Sequence, residues 1–231
     1  MSKRMKAVDA LADPAKRYTL KEAIGILKQA PKPKFDETVE LSVDLEIDVK
    51  ASDQMVRGTV VLPHGTGKAV KVLVFAKGDQ ERQAKEAGAD FVGAEDLLEK
   101  VQGGWTGFDV AVSTPDLMKE VGKLGKILGP RGLMPSPKAG TVTMDIGRAV
   151  KDVKKGKVEF KMDKQGDIHL GIGKMSFAPE ALEENGRIVL EAIWKARPAS
   201  AKGRYVKTVA ISSTMGPGLR LDPAEGRAEQ L

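Results

Sequence analysis

Residues 39–48 read Val39-Glu40-Leu41-Ser42-Val43-Asp44-Leu45-Glu46-Ile47-Asp48, and the alternation is unbroken. Val39, Leu41, Val43, Leu45 and Ile47 fall on one side and polar or acidic residues on the other, the period-two signature of a strand with one buried and one wet face. Such a strand wants antiparallel neighbours and a helical layer over its dry face. The neighbours lie far along the chain. Val158, Phe160 and Met162 alternate, Asp163-Lys164-Gln165-Gly166 supplies a turn, and Ile168, Leu170 and Ile172 return, which predicts a hairpin over 157–172. A polar-speckled strand follows over 204–212.

Helices to cover the sheet flank these strands. Thr19-Leu20-Lys21-Glu22 has capping-box spacing, Leu20, Ile24 and Leu27 line one side behind it, and Pro31 and Pro33 end the pattern. A helix over 179–196 places Leu182, Gly186, Val189 and Ile193 together. At the start of the chain Met5, Val8 and Leu11 share a helical face until Pro14 stops it.

The middle is different in kind. Val70 to Ala76 and Phe108 to Val112 lack alternation and read as strands covered on both faces. Helical stretches over 80–87 and 95–101 and a short strand at Phe91-Val92 between them give a β-α-β-α-β rhythm typical of a parallel sheet. The expected fold class is therefore α/β with two domains. A discontinuous two-layer α/β sandwich would come from 1–66 and 159–231, and a three-layer Rossmann-like domain would be inserted over 67–158.

Composition narrows the chemistry. The 231 residues carry 38 Lys and Arg against 32 Asp and Glu, a net charge of +6 that biases the chain toward polyanions. With no cysteine, disulfides, thiolate metal sites and cysteine nucleophiles are excluded at once. The only histidines, His64 and His169, stand far apart with no two-histidine metal motif and no serine elbow, so neither a metal, a cofactor nor a catalytic group is expected. His64 reads as an exposed linker residue and His169 as a residue of the wet strand face. Ten aromatics are too few for repeated base stacking, so any nucleic-acid reading must rest on backbone and shape. No apolar run approaches the roughly 20 residues that span a bilayer, and the basic start has no secretory pattern; a soluble cytosolic protein is expected.

Several loops invite a ligand. Gly65-Thr66-Gly67-Lys68 suggests a phosphate loop but lacks the required glycine at Leu62 and hydroxyl at Ala69, leaving a linker. Gly171-Ile172-Gly173 is half a dinucleotide fingerprint, with Ser176 where the third glycine belongs. The loop Leu128 to Gly140, with three prolines and three glycines, reads as a connection or as a stiff mount presenting Arg131 and Lys138 to phosphate. Ser212-Ser213-Thr214-Met215-Gly216-Pro217-Gly218 follows a strand directly. It reads either as a tight turn or as a contact loop whose hydroxyls reach phosphate or ribose while its glycines allow close approach.

Lys34 to Leu41 (KFDETVEL), Leu62 to Lys68 (LPHGTGK), Leu128 to Gly140 (LGPRGLMPSPKAG) and Thr214 to Pro217 (TMGP) together closely resemble the bacterial large-subunit ribosomal protein L-one family, in order and over nearly the whole chain. The resemblance implies a main RNA surface on the discontinuous domain and no catalysis. Its implied partners are the large ribosomal subunit and its ribosomal RNA stalk beside the exit site, exit-site tRNA released after deacylation, and the chain's own operon mRNA, repressed through a similar RNA fold. It also implies a cytoplasmic protein, monomeric when free. Carried over residue by residue, the RNA-contact positions fall on Phe35, Thr38 and Glu40, on Lys164, His169 and Lys174, and on Thr208, Thr214, Met215 and Gly216. Nothing functional is assigned to the tail after Arg220. The competing expectation is a phosphate-ester or nucleotide-binding enzyme using the inserted domain, since ligands often settle at the carboxyl ends of parallel strands.

Overall fold

The computed structural model describes residues 7–8, 10–13, 15–49, 51–201 and 203–226. Met5 and Pro14 of the first predicted helix, and the tail beyond Gly226, lie outside these. The chain divides into two compact units, one of Lys68–Val158 and one of the flanking segments up to Gly67 and from Glu159.

In the flanking unit the alternating stretch forms β1 (Thr38–Leu45) with Val39, Leu41, Val43 and Leu45 all buried. It is an interior strand of a four-stranded sheet. β7 (Asp167–Lys174) pairs antiparallel on one edge and β8 (Val206–Ser213) on the other, and β9 (Leu219–Leu221) lies beyond β8. α1 (Leu20–Gln29) and α7 (Pro179–Lys195) cover the dry face. Both halves of the α1 capping box form: Glu22 N donates to Thr19 Oγ1 at 3.3 Å, and Thr19 N donates to Glu22 Oε2 at 3.2 Å. Glu225, from the tail to which sequence assigned nothing, accepts from Leu20 N at 3.1 Å and so places a carboxylate at the same helix start.

The predicted hairpin needs correction. The turn exists: Asp163 Oδ1 accepts from the backbone N–H groups of Gln165, Gly166 and Asp167 at 2.7, 3.0 and 2.9 Å. Its two arms, however, part into different sheets. β6 (Lys157–Lys161) pairs with β2 (Arg57–Val61), while β7 pairs with β1. Adjacency in sequence favours pairing, but β1 offers β7 a longer buried face than β6 can.

The inner unit holds a three-stranded parallel sheet in the order β4 (Phe91–Gly93), β3 (Val72–Phe75), β5 (Val110–Ser113). Every residue of β3 is buried. Leu73 and Phe75 pack on one face with Leu97 and Val101 of α3 (Glu95–Gln102). Val72 and Val74 pack on the other with Ala84 of α2 (Asp79–Glu86) and with Ile146, Val150 and Val153 of α6 (Ile146–Lys154). The absent alternation thus has its cause: both faces are dry. Lys68, the lysine of the apparent phosphate loop, pairs with Asp109, and that bond together with the Lys71 N–H holds the Asp109 carboxyl below its usual range.

One buried polar residue organises the flanking unit. Asn185, fully buried in α7, accepts from His64 N at 3.3 Å and donates to the carbonyls of Gly65 at 3.0 Å and Ile172 at 2.8 Å. Replacing it with Leu strands three backbone groups, which costs about 3 kcal/mol. The thermal midpoint of Asn185→Leu is therefore expected to fall by roughly 6–12 °C. An unchanged midpoint in a melting scan would show that these bonds contribute nothing net.

Candidate nucleic-acid interface

The wet face of the sheet is built by the same alternation that builds the core. Thr38, Glu40, Ser42 and Asp44 project from β1, with Gly171 opposite Glu40 and His169 opposite Ser42 on β7, and Ser212, Ala210 and Thr208 opposite Glu40, Ser42 and Asp44 on β8. From Thr38 to Asp44 the stripe runs about 20 Å. The residues singled out from sequence occupy its two ends.

At the Thr38 end five of them converge. Thr214 N and Thr214 Oγ1 both donate to Thr38 O, at 3.1 and 3.3 Å, and Thr38 N donates to Thr214 Oγ1 at 3.0 Å. Lys174 Nζ donates to Thr38 Oγ1 at 2.8 Å, which leaves the Thr38 hydroxyl proton and the remaining ammonium protons for a ligand. Gly216 N donates to Ser213 O at 3.0 Å and closes the loop that carries Met215. A Cβ at Gly216 would stand 2.2 Å from Ser213 Oγ, so only glycine fits without displacing that serine. Phe35 and Met215 are large apolar side chains about half exposed near this end, flanking Glu37 in sequence and by hydrogen bond respectively.

Sequence missed the residue that holds this end together. Glu37 is buried; its Oε1 accepts from Met215 N at 2.7 Å while its own carbonyl accepts from Met175 N at 2.8 Å. One residue therefore clasps the loop after β8 with its side chain and the loop after β7 with its backbone. Asp36 adds a second tie, accepting from Ser176 N at 3.1 Å and Ser176 Oγ at 2.7 Å. Lys28 of α1 donates to the carbonyls of Met175 and Phe177, and burial lowers its pKa. Both acids sit inside the KFDETVEL run, where the break in alternation before Val39 is the available signal. At Gly67, where φ is 73°, a Cβ would lie 2.7 Å from Lys174 Cγ, so the end of the glycine linker packs on the Lys174 stem.

Of the three hydroxyls in the Ser212 to Thr214 run, one is turned away. Ser213 Oγ is buried and has no hydrogen-bond partner among the described residues, and Thr214 Oγ1 is engaged by the Thr38 backbone. Ser212, opposite Glu40, is the one left on the wet face.

Lys164, His169 and Thr208 lie at the other end of the stripe. Lys164 is exposed in the Asp163 turn. His169 is exposed, as its place in the alternation requires, with Nδ1 3.0 Å from Ser42 Oγ. Thr208 Oγ1 donates to Asp44 Oδ2 at 3.2 Å, and Lys207 pairs with the same oxygen at 3.0 Å. Asp163, Asp167 and His169 bring ligand atoms within 4.8 Å of one another, but Asp163 Oδ1 already receives the three turn N–H groups, which hold its pKa low. That carboxylate shapes a turn.

The sequence model of the Ribosomal protein L1p/L10e family matches residues 26–217. The chain belongs to that family. Large ribosomal subunit protein uL1 of Protochlamydia amoebophila (strain UWE25) is 61% identical over 224 residues, spanning 97% of this chain and 95% of that protein. The family resemblance read from the four motifs holds, and so does the α/β fold class. As an L1p/L10e protein the chain is a structural, RNA-binding constituent of the cytoplasmic ribosome and not an enzyme, which removes the nucleotide-enzyme alternative. Among the described residues no helix is long and apolar enough to cross a membrane.

The clasp generates a local expectation. In Glu37→Ala the Met215 amide loses its carboxylate acceptor, and its hydrogen exchange should accelerate about tenfold or more. The Met175 amide, bonded to the backbone carbonyl of the same residue, should stay protected. Equal exchange at Met215 in both proteins would show that the clasp does not hold the loop.

Proposed function

We propose that this chain is a constituent of the large ribosomal subunit that grips the ribosomal RNA stalk beside the exit site with the Thr38 end of its wet sheet face. It assists release of deacylated tRNA there and represses its own operon messenger by binding a similar RNA fold. The flanking unit carries the main RNA surface and 68–158 is the inserted domain. The observation that carries this reading is the convergence of Thr38, Lys174, Thr214, Met215 and Gly216 on one strand end, clasped by Glu37.

The chemistry of that end suits ribose and backbone. Lys174 offers charge to a phosphate, the Thr38 hydroxyl and Glu40 carboxylate suit a 2′-hydroxyl, which both donates and accepts, and Phe35 and Met215 give an apolar rest for a sugar or a single base. Lys164, His169 and Thr208 extend contact along the stripe. A surface that reads shape and ribose tolerates different sequences presenting one local fold, which is the physical basis on which one site serves both ribosomal RNA and messenger.

Two linked outcomes test it. The protein should bind a large-subunit stalk RNA fragment in preference to DNA of the same sequence, and Thr214→Val, which strands the Thr38 N–H and loosens the loop, should weaken RNA binding by about 1–3 kcal/mol, roughly 5–150-fold. Equal affinity for RNA and DNA in a titration, or an unchanged constant for Thr214→Val, would remove this end of the sheet from the RNA site.

A further inference from the structure

The inner unit carries a feature that the sheet face does not use. The 119–138 segment, Lys119-Glu-Val-Gly-Lys123-Leu-Gly-Lys126-Ile-Leu-Gly-Pro-Arg131-Gly-Leu-Met-Pro-Ser-Pro-Lys138, holds five basic residues against one acid. Two short helices form its first part, α4 (Met118–Lys123) and α5 (Gly125–Leu128). Leu124 between them is the turn residue that caps the first helix, and its carbonyl accepts from Leu128 N at 2.9 Å in the second, so the two helices follow one another with no intervening loop. Leu117, Val121, Leu124 and Leu128 are buried along one side. Lys119, Gly122, Lys123, Lys126, Gly129 and Pro130 are exposed along the other, at the spacing that puts them on a single ridge.

The ridge is unusual in three respects. First, its cations are uncompensated: no ion pair is made by Lys119, Lys123, Lys126 or Lys138 among the described residues. The acid in the segment, Glu120, has one carboxylate oxygen buried, and its charge adds to that of Glu95, the main partner, in raising the pKa of Lys77. Second, it is smooth, because nothing stands within 4 Å of where a Cβ would be at Gly122, Gly125 or Gly132, so a partner can approach the backbone between the lysines. Third, it is fixed in place. Leu133 N donates to Leu128 O at 3.0 Å, Leu133 and Met134 pack on the core, and Ser136 N donates to Thr141 Oγ1 at 2.8 Å, while Arg131 and Lys138 at either end of this anchored stretch remain exposed. Successive lysines from 119 to 126 are spaced by about 5 Å along the helix.

We infer that the ridge of Lys119, Lys123 and Lys126, continued by Arg131 and Lys138, is a second RNA-binding surface that contacts the sugar–phosphate backbone without reading sequence. A row of unpaired ammonium groups on a rigid, side-chain-poor support matches a regularly charged polyanion and gains affinity by releasing its counterions. It depends on the reading of the chain as an RNA binder only for the identity of that polyanion, and it uses none of the residues of the sheet face.

The test compares the full-length protein with Lys119→Gln/Lys123→Gln/Lys126→Gln and with a control of equal charge, Lys100→Gln/Lys151→Gln/Lys155→Gln, whose lysines are exposed elsewhere in the same unit. The probe is a 20-base-pair RNA duplex of arbitrary sequence, titrated at several salt concentrations. The ridge variant should lose roughly tenfold or more in affinity at low salt, and its slope of log K against log salt should fall by about 2, while the control changes little. Equal losses in the two variants, no loss in the ridge variant, or displacement of the duplex from the wild-type protein by poly-glutamate at matched charge would overturn the inference. Stalk-fragment binding and its preference over DNA are unaffected by any of these results, so failure here is distinguishable from failure of the sheet-face reading.

Discussion

β1 hydrogen-bonds along both edges, and both of its partners come from sequence after residue 158. Asp44 lies opposite Asp167 on one edge and Thr208 on the other, and at the opposite end Glu37 carries the same double engagement one residue beyond the ladder, its carbonyl toward Met175 and its carboxylate toward Met215. Everything else in the flanking unit follows from this two-sided pairing. It fixes the register that sends Val39, Leu41, Val43 and Leu45 inward and therefore Thr38, Glu40, Ser42 and Asp44 outward; a slip of one residue would exchange core and wet face outright. It also delivers Lys174 and Thr214 to Thr38, since strands antiparallel to β1 end where β1 begins.

Pairing across so long a separation has an entropic cost, but one that grows only slowly with the length enclosed. That is why residues 68–158 can be accommodated between β1 and β7 when they fold as a unit of their own, with a parallel sheet buried on both faces and its strand ends stapled by Asp90 to Val72 N and Asp109 to Lys71 N. The two units solve different problems with the same backbone. One leaves a sheet face open to solvent, and the other buries both faces of its sheet and exposes a basic helical ridge and a pinned loop.

Much of this was legible in the sequence, and the exceptions have physical causes. Strand alternation from Val39 to Leu45, the capping box at Thr19 and the double-sided burial around Val72 each depend on local chemistry with a known period, and each forms, although the strand stops at Leu45 and leaves Ile47 outside it, only half-buried. The hairpin over 157–172 misled because a turn signal says where the chain reverses and not whether its arms pair; β7 found a better partner in β1. Asn185 and Glu37 were invisible as organisers because a polar residue at a buried position reads as a surface residue until its partners are known, and those partners are backbone groups at Gly65, Ile172, Met175 and Met215. Thr214 stands out in the sequence for its hydroxyl, yet that hydroxyl is engaged by the Thr38 backbone N–H and carbonyl.

The proposed RNA grip rests on a strand end already held in shape by backbone hydrogen bonds and a buried carboxylate. Its most direct test is an amide-shift titration of the isotope-labelled protein with a large-subunit stalk RNA fragment at a salt concentration that suppresses backbone-only contacts. The largest changes should cluster at 35–40, 171–176 and 212–216 and decay along the stripe toward Asp44. Changes confined to 68–158, or spread evenly over the surface, would contradict it.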